Sequence, residues 1–159
     1  MRNAFATCLI AAVVAGALIT STATPGKAAD DPVNVIKYRQ MLMKANGAHM
    51  GSIAMIAKGE VSYDSQNIEN HADGIALMAT LITTAFKENV GDAADTTAKP
   101  DIWSNWSQFE AKAQDLFDKA NDLSEAAASG DQTRIATAVG ATGKACGGCH
   151  DQFRVKKQN

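Results

Sequence analysis

Apolar residues beyond residue 29 recur at three- and four-residue steps, and no segment alternates as a strand would. The pattern predicts four helices. The first spans 31–58: Asp31-Pro32 supplies an acidic N-cap with proline at the first helical position, and Gly59 ends it. Ile36, Arg39, Met43, Gly47, Met50 and Ala54 share one of its faces, with Leu42, His49, Ile53 and Ile56 in a neighbouring stripe. Gly47 and Gly51 weaken a helix interior, so they predict close approach by another helix or by a cofactor. The second helix starts at Asp64 or Ser65 and ends near Asn89, its apolar character carried by Ile68, Ile75, Leu77, Met78, Leu81, Ile82 and Phe86. A polar connection over 91–100 is the longest expected loop. The third helix covers 101–128, with Ile102, Trp103, Trp106, Phe109, Ala113, Leu116, Phe117 and Leu123 inward. After the Ser129-Gly130-Asp131 turn, the fourth runs to about Lys156 and aligns Val139, Thr142, Cys146, Cys149, His150 and Phe153 on one face. The expected class is all-α, an antiparallel four-helix bundle holding a cofactor between its helices.

The first 28 residues read differently. Arg2 gives a minimal basic start, 4–19 is almost uninterruptedly apolar or small, and Gly26-Lys27-Ala28 offers a small-residue cleavage site. This is a secretory leader, too short and too soon polar for a membrane span. Cleavage near Ala28 removes Cys8 and leaves one domain, 29–159, with no stable membrane insertion. Loss of Arg2 and Lys27 from 15 basic residues leaves 13 against 17 acidic ones, a net charge of −4. Such a surface has no basic stripe for nucleic acid.

The chemistry lies in Cys146-Gly147-Gly148-Cys149-His150. A Cys-x-x-Cys-His run is the attachment signature of haem c. Two thiols add to the two vinyl groups of one porphyrin, and the histidine offers its imidazole to the iron. On a helix, positions i, i+3 and i+4 lie on one face, so all three reach the same flat group. A thioredoxin-like dithiol would open a helix after a strand, and a closed zinc site needs four ligands. Neither fits here. The expected cofactor is one covalent haem c per chain, bound through Cys146 and Cys149 with His150 on the iron. An exported, periplasmic location agrees, because bacterial c-type haem is attached outside the cytoplasmic membrane.

Leader, four helices, a C-terminal Cys-x-x-Cys-His and the following Phe153-Arg154 together resemble the class II c-type cytochromes, the cytochrome c-prime family with its low-spin relatives. Lys37-Tyr38-Arg39-Gln40, Ala57-Lys58-Gly59-Glu60 with Tyr63-Asp64, and Ile102-Trp103-Ser104 carry the resemblance further. It implies that Arg39 and Gln40 bind the haem, Arg39 through a propionate, and that Arg154 lies on the proximal side and Trp103 near the haem edge. It also sets two readings of Met43. In the low-spin relatives a methionine at this place binds the iron; in c-prime proteins the residue here blocks an open distal site. Leu42-Met43-Lys44 with Asn46-Gly47 resembles the low-spin group, whereas Tyr38-Arg39-Gln40 resembles c-prime. His49 and His71 read as surface or partly buried histidines.

With Met43 bound beside His150, the iron suits one-electron transfer between periplasmic redox proteins. With Met43 unbound, the site takes a small gas such as NO or CO. Peroxidase chemistry needs a distal acid–base group; only His49 is a candidate and its face is wrong, so no enzyme is expected. By analogy with relatives a homodimer through the first two helices is open, with Met55, Ile56 and Ile75 as an apolar strip.

Overall fold

The computed structural model describes residues 30–156; the leader, its cleavage site and Cys8 lie outside them. The first helix, α1, is Pro32–Ala57, and the Asp31 carboxylate accepts from Val33 N at 2.9 Å as its N-cap. It ends as the sequence predicts: Gly59 adopts φ +75°, and Glu60 N returns to Met55 O at 2.9 Å. Helix α2 is Ser65–Phe86, capped by Asp64, three residues shorter than expected. The expected third helix is broken. A single turn, α3 (Asp101–Ser104), precedes α4 (Trp106–Ala128), with Asn105 between them at φ −125°, ψ 43°. Asn105 Nδ2 donates to Asp101 O and to Ser104 Oγ, so its side chain competes for groups the helix would use. Helix α5, Gln132–Phe153, is capped by Asp131 and stops three residues short of the expected end. There the chain turns extended. Arg154 forms an isolated antiparallel bridge with Ala98, and Val155 N donates to Thr97 O at 2.8 Å.

The four long helices form the expected bundle. α2 and α4 share the most extensive contact, then α4 with α5 and α1 with α2. The α2–α4 seam is lined by small side chains, Ala72, Ala76 and Ala79 on one helix and Ala113 and Ala120 on the other, all buried. Alanine lets helix backbones approach closely; of the larger residues named from the sequence, Ile68, Ile75, Ile82 and Phe86 are buried as expected, whereas Leu77 is 60% exposed. On α1 the core face draws on both stripes, beginning with Ile36 and Arg39 of the first, 1% and 4% exposed. Leu42, Ile53 and Ile56 are buried together with Asn46, whereas Met43 and Met50 are half-buried and Gly47 is exposed. Among the described residues no atom of another element lies within 4 Å of a Cβ placed on Gly47 or Gly51, so none of the described helices approaches there. The glycine that needs its missing side chain is Gly74 on α2: a Cβ there would stand 2.5 Å from His49 Cε1. The fourth side of the bundle stays nearly open, because α1 and α5 barely touch.

Among the described residues no helix is long and apolar enough to cross a membrane.

Candidate functional site

One end of the bundle gathers the beginning of α1, the end of α2, α3, the start of α4 and the end of α5. A chain of rings holds it. Phe86, Phe109 and Phe153 stack from α2 through α4 to α5 at centroid distances of 5.3 Å each, and Trp106 joins Phe109 at 5.5 Å. Arg39 of α1 is buried, 4% exposed, with its guanidinium 5.0 Å from the Phe86 ring and 5.5 Å from Trp103.

The end of α2 explains Arg39. A helix leaves its last carbonyls without internal partners, and α2 carries no cation in its last turn. Arg39 Nε donates to Ala85 O at 2.8 Å, its Nη2 to Glu88 O, and Trp103 Nε1 to Phe86 O at 2.8 Å. Neighbouring elements therefore satisfy that helix terminus and place a positive charge at its negative end. Burial draws the Arg39 pKa below its ordinary value, opposed by the Glu88 charge. Nη1 takes no part in these bonds. Gln40 is exposed and donates Nε2 to Asp95 O at 2.6 Å, tying α1 to the loop before α3. That loop is in turn pinned to α5: Lys99 Nζ donates to the carbonyls of Asp151 and Gln152, capping the helix end with a cation.

Cys146, Cys149 and His150 occupy the last turns of α5, each half-buried, with both cysteines against the core. The thiols are free. Burial pushes both upward, Cys149 to about 11 despite the opposing Lys112 cation. Lys112 Nζ lies 3.7 Å from where a Cβ on Gly148 would stand. The sequence reading missed this lysine, whose only signal is a cation one position before the inward Ala113. The His150 pKa is lowered, first by burial and then by the Arg154 cation, with Asp151 opposing. A neutral imidazole with an available lone pair is the favoured form.

Met43 sits one turn beyond Arg39, half-buried against the core, at the same end of the bundle. Asn46, also missed from the sequence, is buried; its Nδ2 donates to Leu42 O at 3.3 Å and its Oδ1 has no partner among the described residues. His49 and His71, treated separately in the sequence, come together here, with Nδ1 atoms 3.0 Å apart and rings edge to face.

These residues fit a haem. Two free thiols and an imidazole stand at i, i+3 and i+4 along the border of the core. Beside them, α1 and α5 leave a side of the bundle unpacked, with the half-buried Met43 and Met50 on α1. Among the described residues a Cβ at Gly47, Gly143 or Gly147 would meet nothing within 4 Å, so neither helix crowds that side.

Comparison with known proteins agrees. A family model described as cytochrome c′ matches residues 34–154. The cytochrome c′ of Rubrivivax gelatinosus is 37% identical over 128 residues, covering 79% of this chain and 97% of the relative. A cytochrome c-556 of Agrobacterium tumefaciens is 36% identical over 122 residues, covering 77% and 98%. A solved ferrous variant of cytochrome c prime from Alcaligenes xylosoxidans with bound NO superposes with a TM-score of 0.71 at 31% identity, covering 80% and 98%. The bundle, the C-terminal Cys-x-x-Cys-His and these matches over nearly the whole described chain agree: this protein belongs to the cytochrome c′ family.

Proposed function

We propose that this protein is an exported, periplasmic carrier of single electrons whose haem iron is held between His150 and Met43. The haem c is attached covalently through Cys146 and Cys149 and supplies a one-electron iron couple. The chain's residues fasten it, ligate it and keep its surroundings still. His150, held towards its neutral form by burial and by Arg154, offers an imidazole lone pair. Met43 offers an uncharged thioether, which favours the reduced iron and raises the potential. Arg39, clamped between α2 carbonyls and two aromatic rings, fixes α1 one turn before Met43, so the ligand keeps its place through a redox cycle. Its Nη1 would take a haem propionate, and Gln40 steadies the loop that Asp95 belongs to.

The observation that carries this reading is the half-buried Met43 at the bundle end that also holds Cys146, Cys149 and His150, on a helix that leaves that side unpacked. Absorption spectra of the haem-loaded protein, oxidised and dithionite-reduced, test the ligation. A low-spin reduced spectrum, a weak far-red sulfur-to-iron band when oxidised and no response to CO support it. A high-spin reduced spectrum that shifts at once with CO overturns it.

A second reading has its own observation. The solved relative with bound NO shares the bundle at 31% identity. On that reading Met43 walls an open distal site, and the protein takes NO or CO.

A further inference from the structure

The chain has three histidines, and the one in the haem motif leaves two. Those two, His49 on α1 and His71 on α2, are paired across a helix interface that the haem chemistry does not use. Their Nδ1 atoms are 3.0 Å apart, with ring centroids 5.2 Å apart and planes at 64°. Both rings are half-buried, so they are held in place yet open to solvent. Beneath them the interface is rigid: Ile53 on α1 and Ile68, Ala72 and Ile75 on α2 are at most 1% exposed. Gly74 gives the His49 ring its space, since any Cβ there would collide with Cε1, Nε2 and Nδ1.

Two nitrogens that face each other at this distance share one electrophile between them. In the uncharged pair it is a proton, donated by one Nδ1 to the other. The rings now aim these nitrogens at each other along the line of a hydrogen bond, and a metal ion takes the proton's place when each ring turns by about 45°, so that both lone pairs meet at one point beside that line. Two metal–nitrogen bonds of about 2.0–2.1 Å meeting at a right angle put their nitrogens about 3 Å apart. We propose that His49 and His71 form a binding site for a divalent transition-metal ion, with Cu²⁺ the tightest ligand, clipping α1 to α2 away from the haem. Imidazole suits copper, nickel and zinc, the right-angle edge is that of a tetragonal Cu²⁺ or Ni²⁺ site, and copper heads the affinity order. Among the described residues no third His, Cys, Asp or Glu completes a cluster. Water fills the other positions, and the site is an open one.

The test uses the purified haem-loaded protein with CuSO₄ as probe. Titration should give one Cu²⁺ per chain at this site, with an EPR spectrum showing coupling to two imidazole nitrogens and no change in the haem absorption. His49→Gln and His71→Gln should each cut copper affinity at least about tenfold while leaving the haem spectrum intact. Copper should also raise the melting temperature of the parent but of neither variant, because the ion binds only the folded arrangement. Zn²⁺ should compete for the same site more weakly. Failure to bind copper, binding undiminished in both variants, or an EPR signal without two-nitrogen coupling would each overturn the assignment.

Discussion

Arg39 on α1 donates Nε to the carbonyl of Ala85 on α2 at 2.8 Å, closing the end of a helix with no cation in its last turn. Only a planar donor that also stacks can serve the Ala85 and Glu88 carbonyls between Phe86 and Trp103. Arg39→Met should lower the unfolding free energy by about 2 kcal/mol or more, since charge-assisted bonds are lost and helix-end carbonyls are left bare. Arg39→Lys should recover little of this. Chemical denaturation of the three haem-loaded proteins, followed by far-ultraviolet circular dichroism, checks the order.

His49 makes part of the stability depend on pH. Its pKa is lowered in the fold, first by burial and then by the His71 charge, so the unfolded chain binds more protons than the native one as the pH drops below the ordinary imidazole range. Stability therefore rises with pH through that window. The contribution is present above the ordinary imidazole pKa and is lost as the pH falls towards the lowered native value. His49→Gln should flatten this part of the profile between neutral and mildly acidic pH. Melting temperatures measured across that range, against the parent, decide it.

Gly74→Ala separates the pairing from the packing. Alanine gains about 1 kcal/mol of helix propensity over glycine. Its Cβ displaces the His49 ring and breaks the bond to His71, a loss of about 1 kcal/mol. Net stability at neutral pH should thus change by less than about 1 kcal/mol. Histidine proton resonances titrated by NMR should show His49 returning towards its ordinary pKa. A His49 resonance that titrates unchanged would contradict the crowding.

Before haem is attached, Cys149 should be a sluggish nucleophile. Burial pushes its thiol up to about 11, and only the Lys112 cation pulls the other way. Iodoacetamide should modify the haem-free folded protein far more slowly at pH 8 than at pH 10, and Lys112→Met should slow it further. Mass-spectrometric counting of alkylated Cys149 over time gives the rates. Equal rates in the two proteins would remove Lys112 from the thiol's surroundings.

Met43→Ala tests the sixth ligand. The variant should lose the far-red band, become high-spin when reduced and respond to CO, with a lower reduction potential than the parent. Spectroelectrochemistry of the pair checks it. An unchanged spectrum would remove Met43 as a ligand.

Local rules in the sequence determined a good deal. Asp31, Asp64 and Asp131 cap helices because a short carboxylate reaches the first free amides, and Gly59 and Gly130 take positive φ because they lack a Cβ. The helical period, the bundle and the Cys146–Cys149–His150 spacing are equally local, and so is the covalent chemistry they imply. Tertiary structure decided what depends on a neighbour's identity. Leu77 and Ala76 are adjacent apolar residues, yet the small one is buried because α4 comes close and the large one is left outside. The helix break at Asn105 came from a side chain competing for backbone groups, which a hydrophobic pattern does not register. Arg39 reads on its helix as a cation in an otherwise apolar stripe, and only the unsatisfied end of α2, 46 residues away, shows what it is buried against. The His49–His71 pair is likewise invisible until α1 and α2 are side by side: periodicity assigns a residue to a face, and only packing assigns that face a partner.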